Sequence, residues 1–201
     1  MSNYELPKIT YPDPVPERTA MLIANGDLRL SANQSDWPYQ AAMEAALVRA
    51  FANEGWDLVR AHPVDEQDKH GFISNQRMGM DIFKSIPADA PLVVAEAVWQ
   101  YSYHVLAGLR SHKGPILTVA NWSGSAPGLV GMLNLNASLT KMGVDYSTLW
   151  SVDFTDEFFL NGLRQWLKTG KITQKIDHVR ALDPAALPPA EKALGEALAE
   201  E

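Results

Sequence analysis

GPILTVANWSGSAPG, residues 114–128, is the stretch whose reading decides the fold. From Pro115 to Trp122 it is a short run of aliphatic and β-branched side chains entered through Gly-Pro. Such a run, continuous rather than alternating, is what a strand covered on both faces looks like. It then drops into Asn121, Trp122, Ser123 and Gly124 before a new apolar period opens past Pro127 and Gly128. Pro127 is read as lying in the first turn of that next helix, a position that tolerates its missing N–H.

Four further runs belong to the same class. They are Thr19–Gly26, the weaker Asp57–His62, Pro91–Trp99 and Asp145–Val152. Helical periods lie between them. Met43, Leu47 and Phe51 recur every four residues, as do Met78, Ile82 and Ile86. Met132, Leu135, Leu139 and Met142, and then Phe159, Leu163 and Trp166, make two more stripes at helical spacing. Each stripe is read as core packing. Strands alternating with helices imply a parallel sheet with helices on both faces, joined by right-handed crossovers. The expected fold class is therefore α/β: a three-layer, flavodoxin-like (Rossmann-like) doubly wound five-stranded parallel sheet of order 2-1-3-4-5, followed by a C-terminal helical tail. The expected division of the chain is an extended, proline-rich arm over 1–18, the flavodoxin-like domain over 19–175, and a linker and terminal helix over 176–201 leading to further domains.

Composition narrows the function. The 201 residues carry a net charge of −7 and no cysteine. An acidic chain lacks the basic footprint of a nucleic-acid binder and is repelled by anionic membranes. Thiolate chemistry and Cys-ligated metals are excluded. No apolar run reaches the ~20 residues that span a bilayer, and the N-terminus lacks a signal-type core. A cytoplasmic protein is expected. The loop after Trp122 does not carry the Gly spacing of a dinucleotide fingerprint, and Pro127 removes an N–H from any phosphate cradle. There is no P-loop, no nucleophile elbow and no pair of histidines at metal-ligand spacing. No catalytic residue and no metal ligand is assigned to this chain. His104 and His112, eight apart, are read as surface positions on one helix.

In an open parallel sheet, ligands bind outside the carboxyl ends of the strands, near the switch in strand order. That rim holds Asn25, Gly26, Asp27 and Arg29 after the first strand, Trp99, Gln100 and Tyr101 after the third, Asn121, Trp122 and Ser123 after the fourth, and Asp153 and Asp156 after the fifth. Amides, hydroxyls, an arginine and two tryptophans suit a polyol or sugar: the polar groups meet its hydroxyls and an aromatic face covers its C–H side. The expected substrate-binding residues are Arg29, Trp99, Asn121, Trp122 and Ser123. Trp99 and Trp122 have a second reading, as packing residues at the sheet edge. Glu96, inside the third run, is either a buried carboxylate of raised pKa or a hydrogen-bond partner of the adjacent loop.

The run from Gly114 to Phe154, GPILTVANWSGSAPGLVGMLNLNASLTKMGVDYSTLWSVDF, resembles the amino-terminal domain of the L-fucose isomerase and arabinose isomerase family, and Ala95–Trp99 looks like the preceding unit. The resemblance covers roughly Thr19 to Gly170. It implies an aldose–ketose isomerase whose manganese ion is held by a glutamate, an aspartate and a histidine in later domains, outside this chain. It implies that this domain completes a neighbouring subunit's sugar pocket in a homo-oligomer, with Arg29 and Trp99 matching the family's sugar-contacting arginine and tryptophan by order and context. On that reading the chain contributes substrate and oligomer contacts and is not catalytic alone. A stand-alone flavodoxin-like ligand-binding or regulatory module is the alternative.

Overall fold

A computed structural model of the chain describes residues 11–97, 103–174 and 188–199. The elements follow in the order β1 (Thr19–Ile23), α1 (Leu30–Asn53), β2 (Asp57–Arg60), α2 (Gln76–Phe83), β3 (Leu92–Glu96), α3 (Leu106–Ser111), β4 (Ile116–Asn121), α4 (Leu129–Lys141), β5 (Ser147–Ser151), α5 (Glu157–Thr169) and α6 (Pro189–Ala199). The five strands form one all-parallel sheet of order β2-β1-β3-β4-β5, the flavodoxin-like order. Among the described residues no helix is long and apolar enough to cross a membrane.

Alternation along the strands divides the core in two. Leu22, Val93, Leu117 and Leu149 pack with Met43, Leu47 and Phe51 of α1 and with Phe159, Leu163 and Trp166 of α5. Ile23, Leu92, Val94 and Ile116 pack on the opposite face with Leu109 of α3 and Leu135 and Leu139 of α4. Truncating Leu47, which is fully buried, to alanine is expected to cost about 3 kcal/mol through lost transfer energy and the cavity left behind.

The ends of the helices follow from local chemistry. The Asn75 side chain accepts the Met78 N–H at 2.8 Å to open α2. Asp156 does the same for α5, from Phe159 N–H at 2.9 Å. Gly170 closes α5 in the left-handed region, with φ 71°. Helix α4 opens differently from the sequence-based expectation: Gly128 is the N-cap and Pro127 lies just outside the helix, not in its first turn. Gly128 is sterically required at this cap: a Cβ there would run into the carbonyl of Glu96, so the chain passes hard against the end of β3 as the helix starts.

Candidate functional site at the β1–β3 crevice

The strand order reverses between β1 and β3, and the structure shows how these neighbours part. They pair in register through Ile23 and Val94. Beyond that point the next bonds of β3, from the Ala95 carbonyl and the Ala97 N–H, go to the side chain of Gln40 on α1. Its Nε2 donates to Ala95 O at 3.1 Å, and its Oε1 accepts from Ala97 N–H at 3.0 Å. The carboxamide occupies the place of a peptide group that β1 no longer supplies. Meanwhile β1 turns toward the segment after β2. Ile73 N–H donates to Ala24 O at 2.8 Å and Gly26 N–H donates to Ile73 O at 2.9 Å. This departure explains why the first strand stops at Ile23 and not at Gly26.

Helix α1 is built for this junction. Its buried positions are Asn33, Gln40, Met43, Glu44, Leu47, Ala50 and Phe51, polar in the half that follows the crevice and apolar beyond it. Gln40 Nε2 also donates to Glu44 Oε1 at 2.9 Å. Glu44 pairs closely with Arg60 of β2. Arg60 in turn donates to the carbonyls of His62 and Gly71 and lies 5.2 Å from the Trp37 ring centroid. Every member of this network on the α1 face has a partner.

The loop after β1 is clamped by the same helix. Fully buried Asn33 accepts the Asp27 N–H and donates to the Asp27 carbonyl, both at 2.8 Å. Gly26 must be glycine, since a Cβ there would strike Phe72 and Asn33. Asp27 takes the Arg29 guanidinium through Nε at 2.9 Å and Nη2 at 2.8 Å. The hydrogen bond and charge of Arg29 hold the Asp27 carboxyl down at about 2. Arg29 itself is three-quarters exposed, in the loop between β1 and α1.

On the opposite face two buried polar side chains lack a partner among the described residues. Alternation puts Asn25 on the side of Ile23, with α2 and α3. Asn25 is fully buried and His104 is 7% exposed. Neither end of the Asn25 carboxamide and neither ring nitrogen of His104 has a hydrogen-bond partner among the described residues. The two belong to one neighbourhood. Asn25 bridges to Ile73 through the backbone. A Cβ on Gly79 of α2 would lie 3.6 Å from Ile73 Cγ2 and would collide with the carbonyl of His104. Burial pushes the His104 imidazole below its ordinary pKa, while the charge of nearby Asp27 opposes the shift. The ring is thus a neutral imidazole, one donor and one acceptor. Glu96, the last residue of β3, is buried and partnered on this same face.

His104 corrects the sequence reading. Helix α3 holds neither His104 nor His112. His104 is buried ahead of it, and the His112 Nε2 stands 2.8 Å from the Ala90 carbonyl.

The expected rim residues have different fates. The Asn121 side chain is spent within its own loop, donating to Ala126 O at 2.8 Å and, more weakly, to Ser123 O at 3.4 Å, and accepting from Gly128 N–H at 3.3 Å. Ser123 is half-buried there. Trp122 is half exposed, and its backbone N–H donates to Ser151 O at 3.0 Å. Asp156 caps α5, and Asp153 accepts from Thr155. Trp99 lies outside the described residues. The structure pairs Arg29 with Asp27, whose charge reaches His104, and it holds the Asn121–Ser123 step at the end of β4. Gln40 and Asn33 are the residues that sequence reasoning did not single out. The one signal for them was a run of buried-spaced polar residues at the start of α1.

Among the described residues no group of three or more His, Asp or Glu stands together to hold a metal ion. Comparison with protein-family models, with curated proteins and with solved structures found no match to this chain.

Proposed function

We propose that this chain is the amino-terminal α/β domain of a sugar aldose–ketose isomerase of the L-fucose/arabinose type, binding part of the substrate and part of an oligomer contact without turning the substrate over. The observation that carries the reading is the parting of β1 from β3 at the switch in strand order, with Arg29 held by Asp27 in the loop that follows β1. Two of the five guanidinium N–H groups go to Asp27, which leaves three in a fixed fork for sugar hydroxyls. The ion pair sets the direction of that fork before ligand arrives, so less side-chain freedom is lost on binding. Exposed Trp122 offers an aromatic face on the same carboxyl edge of the sheet. Moving a proton or hydride along the sugar needs a base or a metal, and in this reading those groups come from outside the chain. Exposed Val130, Leu133, Trp150, Val152 and Phe158 support an interface with a neighbouring subunit.

The test is saturation-transfer NMR of the purified chain with L-fucose and L-arabinose, alongside a ketose assay with manganese present. Binding that weakens about tenfold or more in Arg29→Ala, with no ketose formed, is the expected outcome. Ketose production by this chain alone would show that the catalytic groups are within it. Absence of saturation transfer to either sugar would sink the reading.

A further inference from the structure

We infer that the cavity at the carboxyl end of β2, between the segment that follows this strand and α2, binds a small organic cation: a protonated amine on an apolar body that also carries a hydrogen-bond acceptor. The site shares no residue with the sugar contacts proposed above.

The cavity has a volume of about 640 Å³, within the range of small-molecule pockets. It lies where Ala61, His62 and Pro63 leave the edge strand and pass α2. Ligands of open parallel sheets bind outside the carboxyl ends of strands. His70 points to an occupant. It is 3% exposed and lines the cavity. Its Nδ1 accepts the Phe72 N–H at 3.1 Å, so the neutral ring carries its proton on Nε2. Burial holds this imidazole below its ordinary pKa, against the opposing charges of Asp68 and Asp65. Nε2 has no hydrogen-bond partner among the described residues, and unlike the His104 nitrogens it is not sealed from solvent. The cavity is the space that this N–H can reach. His62 lines the same cavity but is engaged, by the Ala24 N–H at 3.4 Å and by the Arg60 guanidinium at 3.4 Å.

Charge selects the occupant. Three carboxylates, Asp65, Asp68 and Asp81, line the cavity with one guanidinium, that of Arg77. Asp81 is met by Arg77 and Lys84. Asp65 and Asp68 have no ion-pair partner among the described residues. Asp65 accepts the backbone N–H groups of Asp68 and Gln67 at 2.9 and 2.8 Å through one oxygen, and these bonds lower its pKa and keep it ionised. The turn is held at both ends. Asp65 N–H donates to His70 O at 2.9 Å, and Gln34 of α1 donates to the Asp68 carbonyl at 3.0 Å. A rim fixed in advance loses less freedom on binding. An anion would face two uncompensated carboxylates. A bare metal ion would lack ligands, because among the described residues no group of three or more His, Asp or Glu stands together to hold one. An ammonium group supplies the missing charge, an acceptor atom on the same molecule meets the His70 N–H, and its carbon body lies against Phe72, Met78 and Ile82, which give the cavity its apolar part.

The experiment titrates the whole chain with tyramine, whose ammonium, ring and phenol oxygen cover the three requirements. Binding is read by calorimetry, and the His70 Nε2–H by NMR. The neutral probe 4-ethylphenol matches tyramine without the ammonium. Saturable one-to-one binding of tyramine is expected, with a His70 shift that saturates alongside it. Affinity should fall about tenfold or more for 4-ethylphenol, and for tyramine with the double variant Asp65→Asn, Asp68→Asn. Asparagine at 65 keeps an oxygen for the turn, so this variant retains the fold. Glu66→Gln removes an acid of the same turn that does not line the cavity, and should leave tyramine binding unchanged. Four results would each overturn the inference. They are no saturation by tyramine into the millimolar range, equal affinity for the two probes, an equal loss in Glu66→Gln and in the double variant, and saturable binding that leaves the His70 signal still. The third would assign the attraction to the general field of a chain with net charge −7.

Discussion

The two walls of the β1–β3 crevice are made from the same kinds of side chain and reach opposite ends. On the α1 wall a carboxamide, a carboxylate and a guanidinium are joined into one network with the backbone of β3. On the α2–α3 wall a carboxamide and an imidazole are buried as deeply and joined to nothing described. The first arrangement stabilises the free protein, and the second costs it stability. Polar burial alone therefore does not mark a binding site.

The largest effect expected from disturbing this contrast is on the completed wall. Glu44→Ala removes the acceptor for both Arg60 and Gln40 and strands a partly buried guanidinium, and should cost about 3 kcal/mol in urea unfolding. Gln40→Leu leaves the Ala95 carbonyl and the Ala97 N–H without partners and should cost about 2 kcal/mol. If either variant is as stable as the wild type, the two walls do not differ in the way described.

Acid should act next. Burial, reinforced by the charge of Arg60, holds His62 down at about 3, against an ordinary 6.5. Burial also lowers His70, His104 and His112. Below pH 6.5 the unfolded chain takes up protons that these folded imidazoles refuse. Stability is then fully present above the unfolded pKa and falls as pH drops toward the folded one, by up to ~1.4 kcal/mol per pH unit for each such group. Urea midpoints measured between pH 7 and pH 4 should decline. His62→Gln, which keeps an acceptor for the Ala24 N–H that His62 Nε2 meets at 3.4 Å, should flatten the slope. An unchanged slope would assign the acid sensitivity elsewhere. The smallest effect is expected at Trp122→Ala: the ring is half exposed, so stability should move by less than about 0.5 kcal/mol while sugar binding weakens.

The fold was legible because β-branched runs such as Leu92–Glu96 and Ile116–Asn121 stand between turn residues, and periodic stripes such as Met43, Leu47 and Phe51 can only be one face of a helix. The rim was legible as a place, since the carboxyl edge follows from the topology. Its assignments were harder. Asn121 looks the same in sequence whether its amide faces a ligand or ties its own loop, and only the loop's closure onto Gly128 shows which. Gln40 looks like any surface glutamine on a helix until β1 leaves β3 and vacates two hydrogen bonds. His104 belongs to no period, so nothing along the chain announces its burial.

The borrowed pairing at Gln40 also gives the molecule a built-in reporter. The Ala97 amide hydrogen is held by a side chain of another element and not by a neighbouring strand. Its exchange with solvent therefore times the lifting of α1 from the sheet, whereas the amides deeper in β3 time the separation of strands. A slow Ala97 amide in deuterium would say that the width of the crevice is set by the helix before any ligand arrives.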